Sequence, residues 1–284
     1  MNKKDWFLKF ERGYLLKGQK PGPKSVVFAG IHGNEVCGVK AFYEIVPNIK
    51  LDSGEVYFVF GNPKAIQKNT RFTEFNINRA FRETKFYNAK IKKTYEYKRA
   101  QFLKKFLDKS EVLLDIHSTT NPGSKPFIIS EKNSKNITPY FTKKFVREVR
   151  GFGDIEPGAT EDYMNNRGKI GITVECGQHN DPKSIEIAKN TISAFLTACG
   201  HIVSKKINTK NTRPVFEVQS LYLTKSETFS LKKQFVDFSP IKKGTVIGTD
   251  GTQVVKSERD GIIVFAHNCK GVEQEAYILG KKVK

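Results

Sequence analysis

Two histidines and a glutamate carry the first chemical signal in this chain. His32-Gly33-Asn34-Glu35 is an H-x-x-E pair, and His117 lies 82 residues beyond Glu35. Three residues apart on one turn of backbone, His32 and Glu35 can turn their side chains toward one ion. Two imidazoles and a carboxylate make the open type of zinc site, which keeps a position for water; a closed structural site takes a fourth protein ligand, usually cysteine. The donor set suits zinc and admits other divalent metals. Asp115, two residues before His117, is a candidate partner for that ring which spacing alone leaves open. Taken singly, each of these residues is also an ordinary hydrogen-bonded loop residue, because H-x-x-E recurs by chance.

Two further features belong with them. Glu175 follows an apolar run and precedes Cys176-Gly177. A carboxylate there is costly to bury unless it is paired or functional. Beside a metal-bound water it would be a general base and then an acid; away from one it would be a strand-end glutamate paired to a lysine. The segment from Arg71 to Phe81 places Arg71, Asn76, Asn78 and Arg79 close together. Arginine forks match carboxylates and developing oxyanions, though a solvated basic loop reads the same way.

These residues need elements to bring them together. Short apolar runs occur at residues 26–30, 56–60, 112–114 and 172–174, and each leads into one of the polar groups above. Runs without alternation predict strands buried on both faces, as in a parallel sheet. Helical spacing marks residues 95–107 and 183–199, the second opened by Asp181-Pro182 and stopped by Gly200. Strands alternating with helices give an α/β sheet, in which ligands sit outside the carboxyl ends of the strands. After about residue 205 the character changes. Alternation over 214–223 and turns at Lys243-Gly244, Asp250-Gly251 and Asp260-Gly261 predict a small β-rich region. Its hairpin over 239–265 has no Met-Lys-Met attachment signal and reads as structural.

Composition bounds the rest. The 284 residues are 38% hydrophobic, enough for a sizeable core. No apolar stretch is long enough to span a membrane, and Met1-Asn2-Lys3-Lys4-Asp5-Trp6 has no apolar run behind its lysines, so a cytoplasmic location is expected. Cys37, Cys176, Cys199 and Cys269 form no C-x-x-C pair and read as free thiols. The net charge of +20 is spread over scattered lysine pairs such as Lys143-Lys144 and Lys205-Lys206. That pattern favours a field that draws in anionic substrates over a nucleic-acid stripe.

At these residues the sequence resembles the succinylglutamate desuccinylase/aspartoacylase family. The matching motifs are Gly30-Ile31-His32-Gly33-Asn34-Glu35, Gly61-Asn62-Pro63, Thr70-Arg71-Phe72 with Asn78-Arg79-x-Phe81, Asp115-Ile116-His117-Ser118-Thr119-Thr120 and Val174-Glu175-x-Gly177. They come in family order and cover roughly residues 25–180. The resemblance implies a zinc-carboxypeptidase-like mixed sheet flanked by helices over residues 1–205, with a smaller β-rich domain over 206–284. It implies one zinc ion held by His32, Glu35 and His117, with Glu175 activating water and Arg71 polarising the scissile carbonyl. Asn78 and Arg79 would hold the α-carboxylate of an N-acyl amino acid. Tyr163-x-x-x-Arg167 and Tyr277 resemble residues of the aspartoacylase branch that grip an acidic side chain, which makes an N-acetylaspartate-like anion the expected substrate. Asn76 departs from the acidic residue the family often carries there, which bears on how Arg71 or Arg79 is oriented. A zinc carboxypeptidase and a non-catalytic nucleic-acid binder are the rivals. No membrane or nucleic-acid partner is expected, and a homo-oligomer is compatible with the sequence.

Overall fold

A computed structural model describes residues 13–203 and 212–283. Met1–Trp6, the Lys205-Lys206 pair and the expected domain boundary between them fall outside those residues. In chain order come β1 (Tyr14–Lys17), β2 (Lys20–Ala29), α1 (Cys37–Ile45), β3 (Ser53–Phe60), α2 (Pro63–Lys68), α3 (Ala89–Lys93), α4 (Tyr95–Lys109) and β4 (Val112–Thr119). Then follow β5 (Phe127–Ser130), β6 (Glu148–Arg150), α5 (Phe152–Ile155), α6 (Thr160–Asn165), β7 (Ile170–Gln178) and α7 (Lys183–Ala198). From Val215 the regular elements are β8 (Val215–Leu223), β9 (Thr228–Leu231), β10 (Ser239–Ile241), β11 (Val246–Asp250), β12 (Gln253–Lys256), β13 (Gly261–Val264), β14 (Cys269–Lys270) and β15 (Glu275–Lys282).

The four apolar runs become β2, β3, β4 and β7, which lie side by side and parallel in the order β3-β2-β4-β7. A parallel sheet needs cover on both faces. One face carries Val27, Ala29, Leu114 and Ile116 against Phe42 of α1 and Phe195 of α7. The other carries Val26, Phe28 and Leu113 against Ala100, Leu103 and Leu107 of α4. The helices begin and end where their sequence says: Thr94 caps α4 at Tyr97 N, Asp181 accepts from Lys183 N, and Gly200 turns the chain after α7 at φ +79.

The β-rich region adds to this sheet as well as forming its own. One mixed eleven-stranded sheet runs β1-β3-β2-β4-β7-β5-β6-β8-β15-β13-β10, and a four-stranded antiparallel sheet runs β12-β11-β9-β14. The join is the parallel pairing of β6 with β8, followed by the long β8–β15 ladder. Alternation in β8 reported a half-buried strand but not which neighbour it would find. A separate cluster around Phe229, Ile247, Ile263 and Tyr277 forms the core of the C-terminal part. No described helix is long and apolar enough to cross a membrane.

Candidate metal centre and cavity

His32 and Glu35 sit in the tight loop that follows β2. Gly61 N donates to Ala29 O at 2.8 Å and Gly33 N to Arg71 O at 3.2 Å, which ties this loop to the end of β3 and to the segment carrying Arg71. Gly33 passes so close to α2 that a Cβ there would lie 2.0 Å from the Ala65 carbonyl carbon. Gly33→Ala is therefore expected to push the His32–Glu35 turn off α2 and weaken metal binding. A zinc titration of the variant checks this, and unchanged affinity would show that the turn is not held by that contact.

The arginine-bearing loop is fixed from below by one buried glutamate. Glu96 of α4 accepts from Thr73 N at 2.7 Å, Thr73 Oγ1 at 2.6 Å, Glu74 N at 3.3 Å and Asn62 Nδ2 at 3.3 Å. His117 and Glu175 come from the sheet itself. They are cross-strand neighbours in the β4–β7 register, inside their strands rather than just past them, and both are buried.

These positions bring His32, Glu35 and His117 together. Their donor atoms lie within 4.8 Å of one another and all three residues are buried. His32 Nδ1 is 2.8 Å from Glu35 Oε1, and His117 Nδ1 is 2.8 Å from Glu35 Oε2. The far nitrogens face oxygen. Asn76 Oδ1 already accepts from Asn78 N and lies 3.0 Å from His32 Nε2, so that ring carries its proton on Nε2. His117 Nε2 is 3.1 Å from Asp115 Oδ2. Residues two apart in a strand share a face, which resolves the position of Asp115. Each imidazole thus points Nδ1 at one spot; Asn76 holds the other nitrogen of His32, as second partners orient metal-binding histidines, and Asp115 lies close to that of His117 without hydrogen-bond geometry. The donor set fits a zinc-type ion. The Asn76 side chain meets His32 Nε2 and Asn78 N, and its backbone carbonyl accepts from Arg79 N at 2.9 Å.

The electrostatics follow from burial and neighbours. Burial and Arg71 lower His32 to about 4. For Glu35, burial acts upward, but His32 and His117 outweigh it and hold the carboxyl well below its usual range. Burial would lower His117, yet Asp115 and Glu35 hold it well above the ordinary value. Burial first, and the Glu35 charge second, push Glu175 well above the carboxylate range. Its Oε2 has no hydrogen-bond partner.

A cavity of about 1020 Å³ opens over these groups and is lined by both parts of the chain. Arg71, Asn78, Arg79, Glu175 and Tyr277 line it with the three histidine and glutamate ligand candidates. Arg71 is half exposed there, 3.1 Å from Glu35 Oε1. Asn78 Oδ1 accepts from Thr160 N at 3.3 Å. Tyr277 is 5% exposed and stacks on Tyr222 at 5.0 Å between ring centroids. Tyr163 and Arg167 are not brought to the cavity, a correction to the expectation of a second arginine there. Tyr163 turns from α6 into the α4 side of the sheet, where its hydroxyl donates to Asp108 at 2.7 Å and Arg167 stacks 3.5 Å over its ring. The charged residues that do line the cavity from this part of the chain are Glu156 and Glu161, which sequence reasoning missed. Thr160-Glu161-Asp162-Tyr163 has no spacing signal that says which side chain turns inward.

Comparison with known proteins places the chain among its relatives. Residues 21–202 match the model of the succinylglutamate desuccinylase/aspartoacylase catalytic domain. Succinylglutamate desuccinylase of Pseudoalteromonas atlantica is 23% identical over 282 residues, which cover 89% of this chain and 79% of that protein. The N-acyl-aromatic-L-amino acid amidohydrolase (carboxylate-forming) of Rattus norvegicus is 30% identical over 57% of this chain and 56% of its own length. The crystal structure of the Vibrio parahaemolyticus succinylglutamate desuccinylase superposes with a TM-score of 0.74 at 18% identity, covering 93% of this chain and 82% of that one. The family model spans the β2 turn, the Arg71 loop, His117 and Glu175 without a break, so the chain belongs to the succinylglutamate desuccinylase/aspartoacylase family.

Proposed function

We propose that this protein is a zinc-dependent amidohydrolase that cleaves the amide bond of an N-acyl amino acid. The reaction adds water across the bond and yields a carboxylate and a free amine. The observation that carries the reading is the convergence of His32, Glu35 and His117 beside Glu175, a buried carboxylate that lines the cavity and has one oxygen without a hydrogen-bond partner among the described residues. A zinc ion held by those three residues would supply Lewis acidity and a more acidic water. Glu175 takes the proton from the attacking water and passes it to the leaving amine. Its raised pKa brings its proton affinity nearer to neutral pH, where such a relay is most effective. Arg71 is close enough to the ligand group to stabilise the oxyanion that forms on the carbonyl. Asn78, whose Oδ1 is occupied by Thr160, offers its Nδ2 hydrogens to the α-carboxylate, and Tyr277 closes that wall.

Two finer points bear on substrate. Leu231, Lys233, Phe265, His267 and Tyr277 wall the cavity from the C-terminal strands and the segments that join them, which favours a small acyl amino acid over a peptide. The acidic side chain expected from sequence relied on Arg167, which lies elsewhere. The α-carboxylate reading drew on Arg79, whose charge is already taken by Glu156 and Glu275. The test is a panel of N-acyl amino acids offered to the zinc-loaded protein, with acid and amine quantified together. Equimolar release that a chelator abolishes is expected; no release from any member would overturn the reading.

A further inference from the structure

The cavity has the wrong charge for the rest of the molecule. The chain carries +20, yet seven glutamates line the cavity against two arginines and two lysines. Three of the glutamates, Glu156, Glu161 and Glu275, gather around Arg79.

Arg79 is almost fully used within the protein. Its Nε donates to Glu275 Oε1 at 2.6 Å, its Nη2 to Glu275 Oε2 at 2.9 Å and to Glu156, and its Nη1 to Asn78 O at 2.7 Å. Four of the five guanidinium hydrogens are committed, and two carboxylates share one positive charge. Such a fork holds Glu156 and Glu275 in place more than it attracts a third anion. Burial and the nearness of Glu275 raise Glu156 to about 8, the response of a carboxylate short of cations.

Glu161 is the sharper observation. It is 6% exposed and lines the cavity. Its Oε2 accepts from Thr173 Oγ1 at 3.1 Å; Thr160 Oγ1, 3.4 Å away, gives its one proton to Asp115. No lysine, arginine or histidine among the described residues forms an ion pair with it. Buried charges are ordinarily paired or bound to metal. Thr173 lies two residues before Glu175 on the same face of β7, so Glu161 sits a step along the strand from the proposed base.

We propose that Glu161, with Glu156 beside it, receives a cationic group of the substrate, so that the amino acid released carries a basic and not an acidic side chain. This rests on the amidohydrolase reading and specifies its substrate class. A primary ammonium supplies three donors to carboxylates that otherwise have only a hydroxyl and one shared guanidinium. The α-carboxylate of the same molecule is left to Asn78 Nδ2.

The test uses the zinc-loaded full chain with Nα-acetyllysine, Nα-acetylornithine, N-acetylnorleucine and N-acetylaspartate. Higher kcat/KM on one of the two basic substrates than on either other is expected. Glu161→Gln keeps the shape and the threonine contacts, and it should shrink the lysine-over-norleucine preference by on the order of 10–100-fold. Glu156→Gln provides a second variant should the first fold poorly. Independently of turnover, free lysine should raise the Tm of the metal-free protein more than norleucine or aspartate does. Faster turnover of N-acetylaspartate or N-acetylnorleucine, or equal stabilisation by all three amino acids, overturns the cationic site and leaves hydrolysis standing. No turnover of any substrate while lysine still stabilises overturns hydrolysis and supports the site.

Discussion

Glu175→Gln is expected to leave zinc binding intact and to cut turnover by about 10²–10⁴-fold. The amide is nearly isosteric, so the β4–β7 register beside His117 should hold. What disappears is a buried cavity carboxylate beside the ligand group, one of whose oxygens has no hydrogen-bond partner among the described residues. The pH profile adds a second readout. Glu175 can accept a proton only when ionised, and burial with the Glu35 charge raises its pKa. In wild type, kcat/KM therefore falls as pH drops through that raised value. The residual activity of the variant should lose this acid limb. Near wild-type turnover with bound zinc would show that another group is the base.

His117→Ala should have the second large effect, of a different kind. It removes one of three donors, so zinc content after dialysis should fall to background and activity with it. It also strips two buried carboxylates, Asp115 and Glu35, of a shared partner. Breaking such a buried pair costs about 3–5 kcal/mol, so the metal-free variant should unfold at lower temperature than metal-free wild type. Added zinc should raise the Tm of wild type through ligand linkage and leave that of the variant unmoved. Metal content, activity and two unfolding curves separate this outcome from that of Glu175→Gln, which should keep the zinc response. A variant that still binds zinc stoichiometrically would remove His117 from the ligand set.

The contrast between the two ends of the cavity shows what a linear chain can and cannot reveal. His32, Glu35, His117 and Glu175 were legible because each adjoins or lies within a buried apolar run, and neighbouring parallel strands carry such residues to a common edge. Helix and strand periods gave β2, β3, β4, β7, α4 and α7 for the same local reason. Asp115 needed only the rule that residues two apart in a strand share a face. The substrate end obeyed no such rule. α6 is six residues long, and which of Glu161, Asp162 and Tyr163 turns toward the cavity is set by how that short helix packs on β4 and β7. The result exchanged the expected Tyr163 and Arg167 for Glu161.

By itself, then, the sequence determined the α/β core and where in it the candidate ligands and the proposed base fall, because those positions depend on strand periodicity and burial over a few residues. Only the tertiary structure decided that β8 and β15 extend the main sheet, since strand partners are chosen across long loops by packing and not by local pattern. It alone also decided the charge of the cavity. Arg79 meets Glu275 across 196 residues of chain, and no spacing announces a pairing that forms only when the C-terminal strands close over the site.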